Sequence, residues 1–136
     1  MTSFMDAFAL IARLDPPEPN HARVAAHLGT YAGRFVTTEW ILMELADAFS
    51  PSRLRGYAVE FLKGIRTNKN FAIVPFDAEV YDAGFDLYSQ RPDKNWSLTD
   101  CISFVVMDQF KLIDAMTEDH HFRQAGFNPI FENRSP

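Results

Sequence analysis

The sequence predicts an α/β protein, a three-layer sandwich around a short-stranded, mainly parallel sheet. Two observations predict it. Short apolar runs alternate along the chain with segments of helical period. With 136 residues, 47% of them hydrophobic and 13 of them Phe, the chain is long and apolar enough to bury one substantial core. No internal repeat, low-complexity tract or linker interrupts it, so residues 1–136 are expected to form a single domain.

The opening MTSFM reads as a short strand ending at Asp6. AFALIARL (7–14) has apolar residues on nearly every side, as a short buried helix does. DPPEPN (15–20) breaks that helix, because prolines cannot sit in a helix interior. From His21 to Tyr31 a helical pattern resumes through Val24, Leu28 and Tyr31. RFVTT is a strand running into a helix cap at Thr37 or Thr38. The helix EWILMELADAF follows and stops at SPSR; a further helix over roughly 53–67 places Leu54, Tyr57, Ala58, Phe61, Leu62 and Ile65 at helical spacing. FAIVPF (71–76) is a strand cut short by Pro75. DAEVYDAGFDLYSQ (77–90) starts at an acidic cap and carries Ala78, Tyr81, Phe85 and Tyr88 on one side. Beyond the RPDKN loop lies an apolar helix, NWSLTDCISFVVMDQF (95–110), then the strand LIDAMT (112–117), the short helix DHHFRQAG and a last strand near NPIFE.

A net charge of -5 and a pI near 5.2 supply no global attraction to nucleic acid or to an anionic membrane. A phosphate-bearing ligand therefore needs a local basic patch or a bound cation. Cys101 is the only cysteine, so no intrachain disulfide forms and a reducing cytoplasm is expected. No apolar stretch approaches a membrane span, and the N-terminus lacks the pattern of a signal peptide.

Sites in parallel sheets gather at the carboxyl ends of strands, which marks Asp6 and Asp119. Glu44 borders the apolar arc of its helix, and Asp100 stands at the mouth of an apolar run. Each carboxylate also has a purely structural account. Asp6 and Asp119 suit helix N-caps, Glu44 suits a solvated helix face, and Ser97-x-x-Asp100 is a capping-box pattern. Gathered at one sheet edge, however, four carboxylates would repel, and some would stay protonated without a countercharge. A divalent cation removes that conflict. Oxygen donors without cysteine suit Mg²⁺ or Mn²⁺ rather than Zn²⁺, and the fitting chemistry is metal-assisted phosphodiester hydrolysis.

The stretches FMDAFALIARLDPPEPNHARV, VTTEWILMELADAF, SLTDCISFVVM and MTEDHHFRQAGF resemble the four acidic blocks of PIN domains. The nearest likeness is to the VapC-type toxins of bacterial toxin–antitoxin pairs. It runs from the first strand to the closing GFNPIF, and TDCISFVVM and T-x-D-x-x-F are its most specific pieces. The resemblance implies a Mg²⁺- or Mn²⁺-dependent ribonuclease with an α/β/α sandwich. It makes Asp6, Glu44, Asp100 and Asp119 the acidic quartet, with Asp6, Asp100 and Asp119 on the metal and Glu44 acting through water or a second ion. Ser97 and Thr117 match hydroxyls that hydrogen-bond the acids. It further implies an RNA substrate, a VapB-like antitoxin whose C-terminal segment blocks the cleft, and a homodimer. One departure is Ala7, where many relatives carry Thr or Ser. A housekeeping PIN nuclease and a non-catalytic binding module on the same fold are the alternatives. A phosphoacceptor receiver domain would want adjacent acids near the first strand and a late-strand Lys, and neither is visible.

Weaker features have bland accounts. His120 and His121, adjacent on a helix, point about 100° apart and are not expected to share a metal. His21 and His27 are expected in solvent. Arg13, seven residues after Asp6, is a candidate substrate contact or an ordinary surface Arg. Arg53, Arg55, Lys63, Arg66 and Lys69 suggest either an RNA-binding rim or a solvated face. Cys101 is expected as buried filler.

Overall fold

The apolar runs that alternate with helices become strands, and every strand pairing is parallel. A computed structural model describes residues 1–133; the last three residues of the expected 1–136 domain lie outside the described residues. Strands β1 (Thr2–Met5), β2 (Arg34–Thr38), β3 (Phe71–Val74), β4 (Asp114–Met116) and β5 (Asn128–Pro129) form one sheet in the order β3-β2-β1-β4-β5. Phe4 lies opposite Val36 on one side and Ala115 on the other, and Ala115 lies opposite Pro129. Ser3, Phe4 and Met5 are all buried, as expected of a central strand covered on both faces.

The connecting helices are α1 (Ala7–Leu14), α2 (His21–Thr30), α3 (Glu39–Ala48), α4 (Ser52–Ile65), α5 (Ala78–Gln90), α6 (Leu98–Gln109) and α7 (His120–Gln124). From β1 the chain steps outward to β2 and β3, then crosses back past β1 to β4 and β5. Right-handed crossovers therefore put α1–α4 on one face and α5–α7 on the other. The packing agrees: α1 meets α2 and α3, α3 meets α4, α5 meets α6, and α6 meets α7. This is the three-layer α/β/α arrangement the sequence implies.

Local chemistry sets the boundaries. Asp15 precedes Pro16 and takes φ −117°, ψ 89°, outside the helical region, so α1 stops there. Thr38 caps α3 by accepting from the Ile41 N–H, and Asp77 caps α5 by accepting from Glu79 and Val80. α4 ends at Ile65, two residues short of the expected boundary, and its Tyr57 is 56% exposed. The row Tyr81, Phe85 and Tyr88 of α5 is likewise turned outward, each 41–47% exposed. At Gly84 an added Cβ would lie 2.5 Å from Ile102 Cγ1 and 3.0 Å from its Cα. α6 thus approaches too closely for rings to fit between the helices, and the buried stripe of α5 narrows to Val80 and Gly84.

A run of aromatic contacts ties the elements that frame the β1–β4 edge. Phe4 of β1 packs on Phe122 of α7 at 6.2 Å, Phe122 meets Phe104 of α6 edge-on at 5.0 Å, and Phe104 meets Trp96 edge-on at 5.1 Å. Such pairs contribute about 0.5–1.5 kcal/mol each beyond their buried area. Trp96 also donates its Nε1–H to Gln124 Oε1 at 3.0 Å, joining the loop before α6 to the end of α7. Among the described residues no helix is long and apolar enough to cross a membrane.

Candidate active site

The strand order reverses at β1, so the segments leaving β1 and β4 diverge to opposite faces. The crevice at such a switch point is where open α/β sheets hold ligands. Asp6 directly follows β1, and Asp119 follows β4 by three residues. Met5 and Met116, the last residues of these neighbouring strands, lie opposite each other in register.

Thr117 couples the two acids. Its hydroxyl, fully buried, donates to Asp6 Oδ2 at 2.7 Å and accepts from the Asp119 N–H at 3.1 Å. Asp6 occupies the N-cap position of α1, but its side chain makes no capping hydrogen bond there. Its carboxyl is instead pushed from 3.8 up to about 7, foremost by burial, with Glu44 and Asp100 adding like-charge repulsion. The hydrogen bonds from Thr117 and the Ala7 N–H pull the other way without prevailing. Position 7 thus still steadies Asp6 through its backbone, although it lacks a hydroxyl.

Asp100 enters from α6. The capping box is complete: Asp100 N–H donates to Ser97 Oγ at 2.9 Å, and Ser97 N–H donates to Asp100 Oδ2 at 3.1 Å. Cys101 beside it is fully buried. Asp119 caps α7 by accepting from the His121 N–H at 2.9 Å. Capping and membership of the cluster are therefore compatible in both residues, because a cap fixes where its carboxylate points. Glu44 stands solvent-facing on α3, yet its carboxyl is raised above the ordinary range. The first cause is desolvation by the atoms around it, followed by repulsion from Asp100, Asp119 and Asp47. Asp6 feels repulsion from Glu44 and Asp100, and Glu44 from Asp100 and Asp119, so the four carboxyls act on one another electrostatically.

The PIN domain family model matches residues 4–128. The chain belongs to the PIN domain family. Among solved structures, Mycobacterium tuberculosis VapC20, a sarcin-ricin loop cleaving toxin, is similar with TM-score 0.86 and 18% identity, over 96% of this chain and 98% of that one. FitAcB from Neisseria gonorrhoeae is similar with TM-score 0.65 and 22% identity, over 96% and 99%. VapBC2 from Rickettsia felis, bound to a DNA fragment from its promoter, is similar with TM-score 0.65 and 13% identity, over 99% and 100%. At these identities the likeness is one of fold. No curated protein sequence matches the chain.

The PIN fold also places residues that sequence reasoning set aside. His121 Nδ1 lies 3.1 Å from Asp100 Oδ2 and 3.4 Å from Asp119 Oδ1, and His120 Nδ1 lies 3.9 Å from Asp119 Oδ1. One ligand atom from each of Asp119, His120 and His121 falls within 4.8 Å of the others, closer than the roughly 100° step between neighbouring helical residues suggests. Side chains at a helix start lean back toward its N-terminus, so adjacent rings converge despite the 100° step. His21 and His27 are also not simply solvated: His21 Nδ1 is 2.8 Å from Ala12 O, and His27 packs edge-on to Phe131. Arg23, unremarked in the sequence, donates to Phe131 O and pairs with Glu118, holding the residue just before Asp119. Arg13 is exposed on α1, with no hydrogen bond or ion pair to the acids. Arg66 pairs with Glu39 and Arg55 donates to Ser50 O, so part of the basic stretch is spent on intramolecular contacts.

Proposed function

We propose that this PIN domain is a Mg²⁺- or Mn²⁺-dependent endoribonuclease, and that it serves as the toxin of a VapBC-type pair. The observation carrying this reading is the state of Asp6. A carboxyl pushed to about 7 by burial and by neighbouring carboxylates is one whose ionised form a bound cation would stabilise. The donors suit a hard ion, being carboxylate oxygens of Asp6, Asp100 and Asp119 with no cysteine among them. When bound, such an ion would supply an activated water and stabilise charge developing on phosphorus.

The chain's own contribution is positioning and charge. Asp6, Asp100 and Asp119 hold the ion, and Glu44 acts from the rim through water or a second ion. Thr117 keeps Asp6 aimed while fixing the backbone at Asp119. Ser97 and His121 hold Asp100 from two sides. Arg13 remains a weak candidate for a substrate phosphate.

The same reading proposes a VapB-like antitoxin, a homodimer, a cytoplasmic setting and a single domain over residues 1–136. The test is cleavage of a panel of structured RNAs in Mg²⁺, Mn²⁺ and EDTA. Cutting that needs divalent metal and disappears in Asp100→Asn is expected; full activity in Asp100→Asn would refute the site. Expression should arrest growth and a co-expressed neighbouring antitoxin should relieve it, whereas unimpeded growth refutes the toxin role.

A further inference from the structure

We propose that His120 and His121, together with Asp119, form a binding site for a borderline transition-metal dication such as Zn²⁺, and that its occupancy inhibits the cleft. The binding stands on the geometry alone; the inhibition rests on the nuclease reading above.

The donors are already gathered. Their three ligand atoms lie within 4.8 Å of one another. Two ligands about 2.0–2.2 Å from a tetrahedral Zn²⁺ are roughly 3.4 Å apart. His121 Nδ1 is 3.4 Å from Asp119 Oδ1, and His120 Nδ1 is 3.9 Å from it. Closing on an ion therefore takes small side-chain rotations. The two rings lean together, with centroids 4.5 Å apart at 55°. Coordination through His121 Nδ1 uses the neutral tautomer that carries its proton on Nε2, so the ring keeps one N–H.

The donor set separates this site from the one beneath it. Imidazole nitrogen favours Zn²⁺, Co²⁺ and Ni²⁺ over Mg²⁺, whereas Asp6 and Glu44 offer oxygen only. An ion can also enter freely, since the His120 side chain is 56% exposed and that of Asp119 is 32% exposed. Asp119 belongs to both donor sets, so an ion drawn to the histidines takes it from the Mg²⁺ position. A metal that the carboxylate centre needs and a metal that blocks it thus compete for a shared ligand.

The test is calorimetric titration of metal-free protein with ZnCl₂, alongside Co²⁺ absorption spectra. One Zn²⁺ per chain is expected, with His120→Ala and His121→Gln each weakening it about tenfold or more and changing the Co²⁺ spectrum. Asp6→Asn should alter Zn²⁺ affinity far less. Equal affinity in wild type and both histidine variants overturns the site, and so does an Asp6→Asn loss as large as theirs. In saturating Mg²⁺, Zn²⁺ should inhibit RNA cleavage, and His120→Ala should need about tenfold more Zn²⁺ for the same effect. Histidine-dependent Zn²⁺ binding without cleavage in any metal upholds the site and sinks the nuclease reading. Cleavage with histidine-independent Zn²⁺ binding does the reverse.

Discussion

Replacing Asp6 by Asn should stabilise the metal-free protein, and increasingly so as pH rises. The folded carboxyl titrates near 7 against an ordinary value of 3.8. An acid whose value is raised by folding binds its proton more tightly in the native state, so stability falls as pH climbs from about 4 to about 7 and then levels off. At 1.36 kcal/mol per pH unit that gap bounds the full loss at roughly 4 kcal/mol. Roughly 1.6 kcal/mol of it has already gone by pH 5, leaving a bound of about 2.5 kcal/mol between pH 5 and pH 8. Residual solvent screening of a half-buried group lowers the working figure to about 1–2 kcal/mol. Asn keeps an oxygen to accept from the Thr117 hydroxyl and cannot ionise, so it mimics the neutral acid. Urea unfolding of both proteins in EDTA at pH 5 and pH 8 measures the difference. Saturating Mn²⁺ at pH 8 should shrink it, because the ion binds the native wild type preferentially. A stability difference that does not change between the two pH values, or that shrinks as pH rises, would refute the burial and repulsion assigned to Asp6.

Three further substitutions test the scaffold. Thr117→Val strips Asp6 of its donor and the Asp119 N–H of its acceptor; a loss of about 1–2 kcal/mol and a fall of about tenfold or more in Mn²⁺ affinity by calorimetry are expected. Gly84→Ala forces a methyl into Ile102 and should cost about 1–3 kcal/mol in urea unfolding, while cleavage per folded molecule stays the same. Gly126→Ala meets no neighbour but places a side chain at φ +97°, so a loss of about 1 kcal/mol by thermal melting is expected.

The alternation of apolar runs with helical period was enough to read the parallel sheet, because each element carries its own period and its own stop signal. Pro75 ends β3 and the prolines after Asp15 end α1 through local chemistry alone. Which side of a helix faces inward is another matter, since it depends on how near the neighbour comes. Tyr81, Phe85 and Tyr88 share a side as their spacing says, yet Gly84 draws α6 so close that this side is left to solvent. The convergence of Asp6 with Asp119 follows from strand order, which no local pattern encodes. How near the His120 and His121 donor atoms come to Asp119 is set by side-chain rotamers, which spacing does not encode.

The Thr117–Asp6 hydrogen bond joins residues 111 positions apart, and β4 must pair with β1 before it can form. A growing chain therefore carries Asp6 and Glu44 long before β4 exists to bring Asp119 beside Asp6. Proteolysis in the loop between α5 and α6 would likewise leave two pieces, neither holding all four acids. In such an architecture the four acids share one molecule's fold only after β4 has paired with β1.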